Sequence, residues 1–460
     1  MKIYNTMQRK KNDFTPILPG RVKMYTCGQT VYNHIHMGNA RFYVVYDAIR
    51  RYLQHNGYAV DYVQNFTDID DKTITRAAEE GISTVEIAEK YIASTLEDLQ
   101  NLNVQPATHN PRVTHEMPEI IEMISQLIDS GHAYENDGTV YFSVSSFPGY
   151  GKLSGKNIDE LEAGARVEVE AGKKNPSDFV LWKPAKQGEP SWQSPWGEGR
   201  PGWHIECSAM IRKYLGEQID IHGGGTDLIF PHHENEIAQT EALTGRDMAR
   251  NWLHCGMITV EHKKMSKSRG NFQTLREAAE KFPYDVLRFF FLTVHYRMPM
   301  EFTTEVVAAA GQGLQRIKNC FANVKHALEN ADAMGVQLPS GFAEEFTRAM
   351  DDDFNTADAI AAIFQMVTEV NTHLNGAHCA NFLEEAQCKL AELMSILGFA
   401  LETNVEQDDD FAAQVEALIT ARQAAKKEKN FAEADRIRAE LTDMGVVLED
   451  TREGVRWHRA

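Results

Sequence analysis

Two short segments far apart in the sequence carry residue types suited to handling a polyphosphate. The first is Lys264-Met265-Ser266-Lys267-Ser268, followed by Arg269 and Gly270. Lysine is a compact point charge and binds phosphate well, and His262, Lys263 and Arg269 add further chargeable groups. The second is His36-Met37-Gly38-Asn39. It lies between an apolar alternation at 22–26, which predicts a strand, and apolar residues at helical spacing over 42–53, which predict a helix. A strand, a tight turn and a helix start make a natural anion site, because the first N–H groups and the helix dipole both favour negative charge. An imidazole there can donate a hydrogen bond to a phosphoryl oxygen as charge develops. The two segments together predict a polyphosphate held between His36 and Lys267.

A second set of residues offers soft metal ligands. Cys27 ends the strand-like run and precedes Gly28; Cys207 lies in Trp203-His204-Ile205-Glu206-Cys207; and a helix start is predicted at Pro231-His232-His233-Glu234-Asn235-Glu236. His232 and Glu236 are then i and i+4 on one face, although spacing also allows His233 with Glu236 at i and i+3. Two thiolates, an imidazole and a carboxylate would suit tetrahedral zinc. The second histidine of a His-Glu-x-x-His protease is missing.

The elements that must position these groups follow from length and pattern. With 460 residues the chain suffices for two to four domains. Residues 20–115 alternate strand-like and helix-like segments, the pattern of a parallel sheet. Residues 116–200 are rich in Gly, Pro and Trp and read as a loop-rich insertion. Alternation resumes near Trp203 and runs through 264–268. From about 275 the chain reads as helical, with segments at 314–328, 354–374 and 382–397. An acidic stretch at 402–410 reads as a linker. Beyond it come two helices, broken near Lys429-Asn430, and a closing hairpin over 446–457. The fold class expected is α/β: a Rossmann-like parallel sheet with an insertion, then a helical bundle and a small C-terminal domain. The net charge of −19 argues against tight non-specific nucleic-acid binding, yet residues 411–460 are charge-balanced. The six cysteines form no C-x-x-C pair, which argues against a disulfide framework. No apolar run reaches the ~20 residues needed to span a bilayer, and the N-terminus lacks a signal-peptide core, so a cytoplasmic protein is expected.

The two phosphate segments resemble the "HIGH" and "KMSKS" signatures of class I aminoacyl-tRNA synthetases. The second is matched throughout; the first departs at Met37 and Asn39. The resemblance narrows to the cysteinyl-tRNA synthetase family on Tyr25-Thr26-Cys27-Gly28, Asn65-Phe66-Thr67-Asp68-Ile69-Asp70-Asp71-Lys72, Gly202-Trp203-His204-Ile205-Glu206-Cys207, His222-Gly223-Gly224-Gly225, the 230–236 segment and Met350-Asp351-Asp352-Asp353-Phe354-Asn355-Thr356. It covers essentially the whole chain.

The resemblance implies one zinc ion held by Cys27, Cys207, His232 and Glu236, with ATP as substrate together with Mg2+. It implies His36, Asn39, Lys264 and Lys267 as catalytic residues. Gly38, Gly223 and Gly224 would let backbone approach the nucleotide, and Thr67, Trp203 and Asp227 would line the amino-acid pocket. The partners implied are L-cysteine and tRNA(Cys), for a monomer with no membrane association. The domains implied are catalytic halves at 1–115 and 201–275, a connective insertion at 116–200, a tRNA-contacting helical bundle at 276–400 and an anticodon-binding domain at 411–460. Phe431, Asp435, Asp450 and Trp457 are the candidates for base contacts. Zinc suits such an enzyme because shape alone separates cysteine from serine by only ~1–3 kcal/mol, whereas a borderline-soft metal prefers a thiolate.

Overall fold

Strand β3 (Arg21–Thr26) is followed by helix α1 (Met37–His55) and strand β4 (Ala59–Gln64); strand β9 (Ile219–Gly225) is followed by helix α6 (Glu234–Thr244) and strand β10 (Ala249–Cys255). In the computed structural model these four strands form one parallel sheet in the order β10-β9-β3-β4. The structure describes residues 1–157, 172–260, 263–264, 273–329, 331, 341–374, 379–401, 409–428, 430–451 and 454–459. Residues 263–264, 409–413, 443, 447–451 and 454–459 are described by main chain alone. The chain divides into two compact units, Met1–Leu401 and Glu402–Ala460.

Strand periodicity explains the layers of the first unit. Val22, Met24, Tyr62, Ile221 and Leu253 point to one face of the sheet and join one apolar core. Their neighbours Tyr25, Val63 and Trp252 point to the other face and join a second core. The first core also takes in α1 and residues of α8 (Tyr284–Leu292), α9 (Thr304–Leu328), α10 (Gly341–Asp351), α11 (Thr356–Leu374) and α12 (Ala380–Ile396). The second takes in α4 (Met117–Asp129), α5 (Trp203–Leu215) and part of the insertion. Both faces of β9 are therefore covered, and six of its seven residues are buried.

The insertion holds a four-stranded antiparallel sheet: β5 (Ala133–Asn136), β6 (Thr139–Phe142), β7 (Phe179–Pro184) and β8 (Gly199–Pro201). Asp137 and Gly138 both have positive φ, 51° and 76°, as the two-residue hairpin between β5 and β6 requires. Its composition reads as loop because these strands are only 3–6 residues long, too short to establish a period. An N-terminal hairpin, β1 (Lys2–Asn5) with β2 (Lys10–Asp13), joins Met1 to the first unit. Helices α2 (Asp71–Glu80) and α3 (Thr84–Asn101) follow β4. Strand β11 (Ile258–Val260) pairs with β12 (Lys263–Lys264) and with β13 (Met300–Glu301), and the short helix α7 (Leu275–Ala279) precedes α8.

The second unit is two helices, α13 (Asp409–Lys427) and α14 (Phe431–Asp443), and a hairpin of β14 (Val446–Thr451) with β15 (Gly454–Arg459). Val415, Ile419, Ile437, Leu441 and Val446 form its core.

Candidate active site and metal centre

The crossovers leaving β3 and β9 run in opposite directions along the sheet, to β4 and to β10. This creates a switch point at the carboxyl ends of the two central strands, where α/β sheets hold ligands. A cleft of about 320 Å³ opens there. His36, Gly38 and Asn39 line it together with Cys27, Trp203, Asp227 and residues 255–258.

His36 is the N-cap of α1. Its Nδ1 accepts the main-chain N–H of Asn39 at 3.2 Å, and Asn39 Oδ1 accepts the N–H of His36 at 3.4 Å. This reciprocal box explains why asparagine serves at the fourth position: it supplies a side-chain acceptor to the cap. It also leaves the proton on Nε2 of a neutral His36 ring. Gly38 is required by the same geometry, because a Cβ there would lie 2.8 Å from the His36 ring.

Lys264 pairs by main chain with Thr259 in the β11–β12 hairpin. Lys267 lies outside the described residues, as does the rest of 265–272. The segment that follows is bonded to the phosphate turn: Leu275 N–H donates to Ile35 O at 2.9 Å, and Met37 N–H to Gln273 O at 3.2 Å.

Asp227 follows β9, and a Cβ on Gly225 would lie 2.6 Å from its Oδ1. Gly225 lines the cleft. Gly223 and Gly224 pack inward, where a Cβ would lie 2.3 Å from the Tyr46 ring and 2.3 Å from the His233 ring respectively. Thr67 is buried behind the cleft, its main chain bonded to Gln29 and Val31 and its hydroxyl 3.4 Å from Glu206. Trp203 is 44% exposed and stacks on His232 with ring centres 4.3 Å apart.

Beneath the cleft lies a buried cluster of donors. Cys27, Cys207, His232 and Glu236 have ligand atoms all within 4.8 Å of one another, as do Cys27, His222, His233 and Glu236. His232 Nε2 is 2.9 Å from Glu236 Oε1, and His222 Nε2 is 2.7 Å from Glu236 Oε2. Cys27 Sγ is 3.3 Å from Glu236 Oε1 and 3.3 Å from His233 Nε2. Each element delivers its donor from a fixed end. Cys27 follows β3 and bonds Gly223 O at 3.2 Å. Cys207 sits inside α5, and Glu236 lies in the first turn of α6. Glu234 anchors that turn by accepting N–H bonds from Gly151, Leu153 and Ser154.

The donors of the cluster act strongly on one another. Burial pushes the Cys27 thiol well up, with Cys207 and Glu236 adding to it. A hydrogen bond from Cys27 brings Cys207 down to about 6 against burial. Burial opposes charge on His232, but Glu236 and Cys207 outweigh it and lift the ring to about 10. Burial holds His233 well below its usual value. Two sulfurs, one imidazole and one carboxylate, all buried and within van der Waals reach, fit zinc with bonds of about 2.0–2.3 Å.

Spacing does not separate His232 from His233, and both rings touch the cluster. Cys255, Gly256 and Met257 also line the cleft, and no motif signals them.

Solved structures with this fold share its layout. Mycobacterium tuberculosis methionyl-tRNA synthetase in complex with methionyl-adenylate superposes with a TM-score of 0.60 at 16% identity, covering 82% of this chain and 89% of that one. A putative arginyl tRNA synthetase from Campylobacter jejuni gives 0.59 at 13% identity, covering 83% and 93%. The architecture is that of a class I aminoacyl-tRNA synthetase. The profile described as tRNA synthetases class I (C) catalytic domain matches residues 13–312, a DALR domain matches 345–402, and a cysteinyl-tRNA ligase anticodon binding domain matches 408–457. Cysteine–tRNA ligases of Lachnoclostridium phytofermentans and Carboxydothermus hydrogenoformans are 51% and 52% identical, each aligned over 100% of both chains. The chain belongs to the cysteine–tRNA ligase family.

Proposed function

We propose that this chain activates L-cysteine with ATP and passes the cysteinyl group to the 3′ end of tRNA(Cys), with cysteine selected through its thiolate at a zinc ion. In the first step a carboxylate oxygen of cysteine attacks the α-phosphorus, and the bond to pyrophosphate breaks. In the second a terminal ribose hydroxyl attacks the acyl carbon, loses its proton, and AMP leaves. Both steps rely on positioning and charge stabilisation.

His36, held by Asn39, presents Nε2–H to an α-phosphate oxygen. Lys264 and Lys267 meet charge on the pyrophosphate, which Mg2+ accompanies. Asp227 accepts the cysteine ammonium, while Trp203 and Thr67 shape the amino-acid end. Cys27, Cys207, His232 and Glu236 hold the zinc. When bound there, zinc supplies a soft Lewis acid that favours a thiolate over a hydroxyl.

The observation that carries this reading is the single cleft shared by His36, Gly38 and Asn39 with Cys27, Trp203 and Asp227. The family matches at 345–402 and 408–457 support the tRNA as acceptor. In the second unit Phe431 is 63% exposed and Asp435 is exposed, as base-contacting groups must be. The side chains of Asp450 and Trp457 lie outside the described residues. Among the described residues no helix is long and apolar enough to cross a membrane.

Cysteine-dependent ATP–pyrophosphate exchange with metal analysis tests the reading. Exchange with cysteine and not serine, at one zinc per chain, is expected. Equal exchange with serine would remove the selectivity argument.

A further inference from the structure

Arg41 lies on α1 just past the turn that carries His36, and it is fully buried. No carboxylate of the described residues pairs with it. Its guanidinium instead donates to four main-chain carbonyls. Nη1 reaches Gly256 O at 2.8 Å and Met257 O at 3.3 Å; Nη2 reaches Met298 O at 2.8 Å and His295 O at 3.3 Å. A buried cation without a counter-ion is costly, so these dipoles are what make it tolerable. In return the planar fork fixes where the carbonyls sit.

Two of those carbonyls belong to the cleft wall. Gly256 and Met257 line the cavity, in the short connection between β10 and β11. That connection is also held to a second loop, residues 293–299, by Gly256 N–H to Tyr296 O at 2.7 Å, and Met300 N–H donates to Met257 O at 3.0 Å. The second loop is anchored on its far side by Asp353, which bonds the Tyr296 hydroxyl at 2.9 Å and Arg297 Nε at 2.6 Å.

We propose that Arg41 is a positioning residue for the ATP site. From the helix that carries His36 and Gly38, it sets the distance between the phosphate turn and the wall at 256–257. This rests on the reading of the cleft as an ATP site.

Arg288 is the natural control. It is equally buried and bonds carbonyls of Leu102, Asn103 and Leu397, with Asp47 as its carboxylate partner. None of these residues lines the cleft.

The test measures KM for ATP and for cysteine separately, by exchange, on the full-length zinc-loaded protein. Arg41→Met is expected to raise KM for ATP roughly tenfold, the scale of a small misplacement, with KM for cysteine and zinc content unchanged. Arg41→Lys should fall between. Gly256→Ala, whose Cβ would lie 2.4 Å from Met298 O, parts the same two loops without touching the arginine and should move KM the same way. Arg288→Met should lower the thermal midpoint and leave KM for ATP alone. Arg41 and Gly256 variants that lose only thermal stability, or raise both KM values together, overturn the inference. A wild-type protein without cysteine-dependent exchange would instead overturn the functional reading itself.

Discussion

At the metal end of the cleft every candidate ligand is a side chain, and the four come from separate places: the end of β3, the middle of α5, the turn before α6 and its first turn. At residues 256–257 the wall is fixed through main-chain carbonyls held by one arginine. The first gathers two sulfurs, an imidazole and a carboxylate in a dry place, a donor set suited to a bound cation. The second has neutral dipoles and gains its shape from packing. Damage at the first end should be large and chemical; at the second it should be graded and geometric.

The sharpest way to break that contrast is at Cys207. Cys207→Ser is expected to lose stoichiometric zinc and to cut cysteine activation by about a hundredfold or more. Metal analysis beside exchange kinetics checks it. Stoichiometric zinc in that variant would overturn the assignment of Cys207 and leave the set with His222 and His233 as the alternative. Next in size, His36→Ala should lower kcat for exchange about a hundredfold, the usual loss for a donor aimed at developing charge. It also removes the N-cap of α1, so thermal stability should fall by about 1 kcal/mol. Normal kcat in that variant would detach the α1 turn from the chemistry.

The contrast also governs what could be read before any coordinates. Cysteine, histidine and glutamate announce themselves by type, and the long helices α1, α3 and α9 announce themselves by period. Which histidine serves did not follow from spacing. Residues 229–233 form a wide helical turn with Phe230 in extended conformation, so His232 and His233 both face the cluster. Asn39 looked like a departure from a motif, but the structure shows why its side-chain oxygen suffices. The wall at 256–257 was illegible because peptide groups carry no sequence signature. Arg41 was illegible because its partners are carbonyls. The strands of the insertion were hidden by their shortness.

Gly38→Ala sharpens the comparison more gently, because stability should hold while activity falls. Alanine favours a helix over glycine by up to about 1 kcal/mol, which offsets the cap weakened when His36 turns, so the thermal midpoint should hold. The added Cβ would meet the His36 ring at 2.8 Å and turn it from its place. A fall in kcat of roughly tenfold is expected. Parallel losses of stability and activity would mean that Gly38 matters to the fold instead of to His36.

The smallest effect lies where the Lys264–Lys267 segment rejoins the domain. Thr274 caps α7 in a reciprocal box with Glu277, and it bridges to the main chain of His36. The Thr274 main-chain N–H, then its hydroxyl, hold the Glu277 carboxyl below its usual value. A carboxylate depressed in the folded state adds stability above its unfolded pKa, and that stability is lost as pH falls through the folded value. Glu277→Gln should therefore lower thermal stability at pH 7 by about 0.5 kcal/mol, a small figure because the group is exposed and solvent screens it. The gap from wild type should close as the pH is taken below the ordinary glutamate value of about 4.3. A gap that persists unchanged in acid would mean that the glutamate acts by shape and not by charge. The anchoring of this junction would then resemble the wall at 256–257 more than the metal cluster.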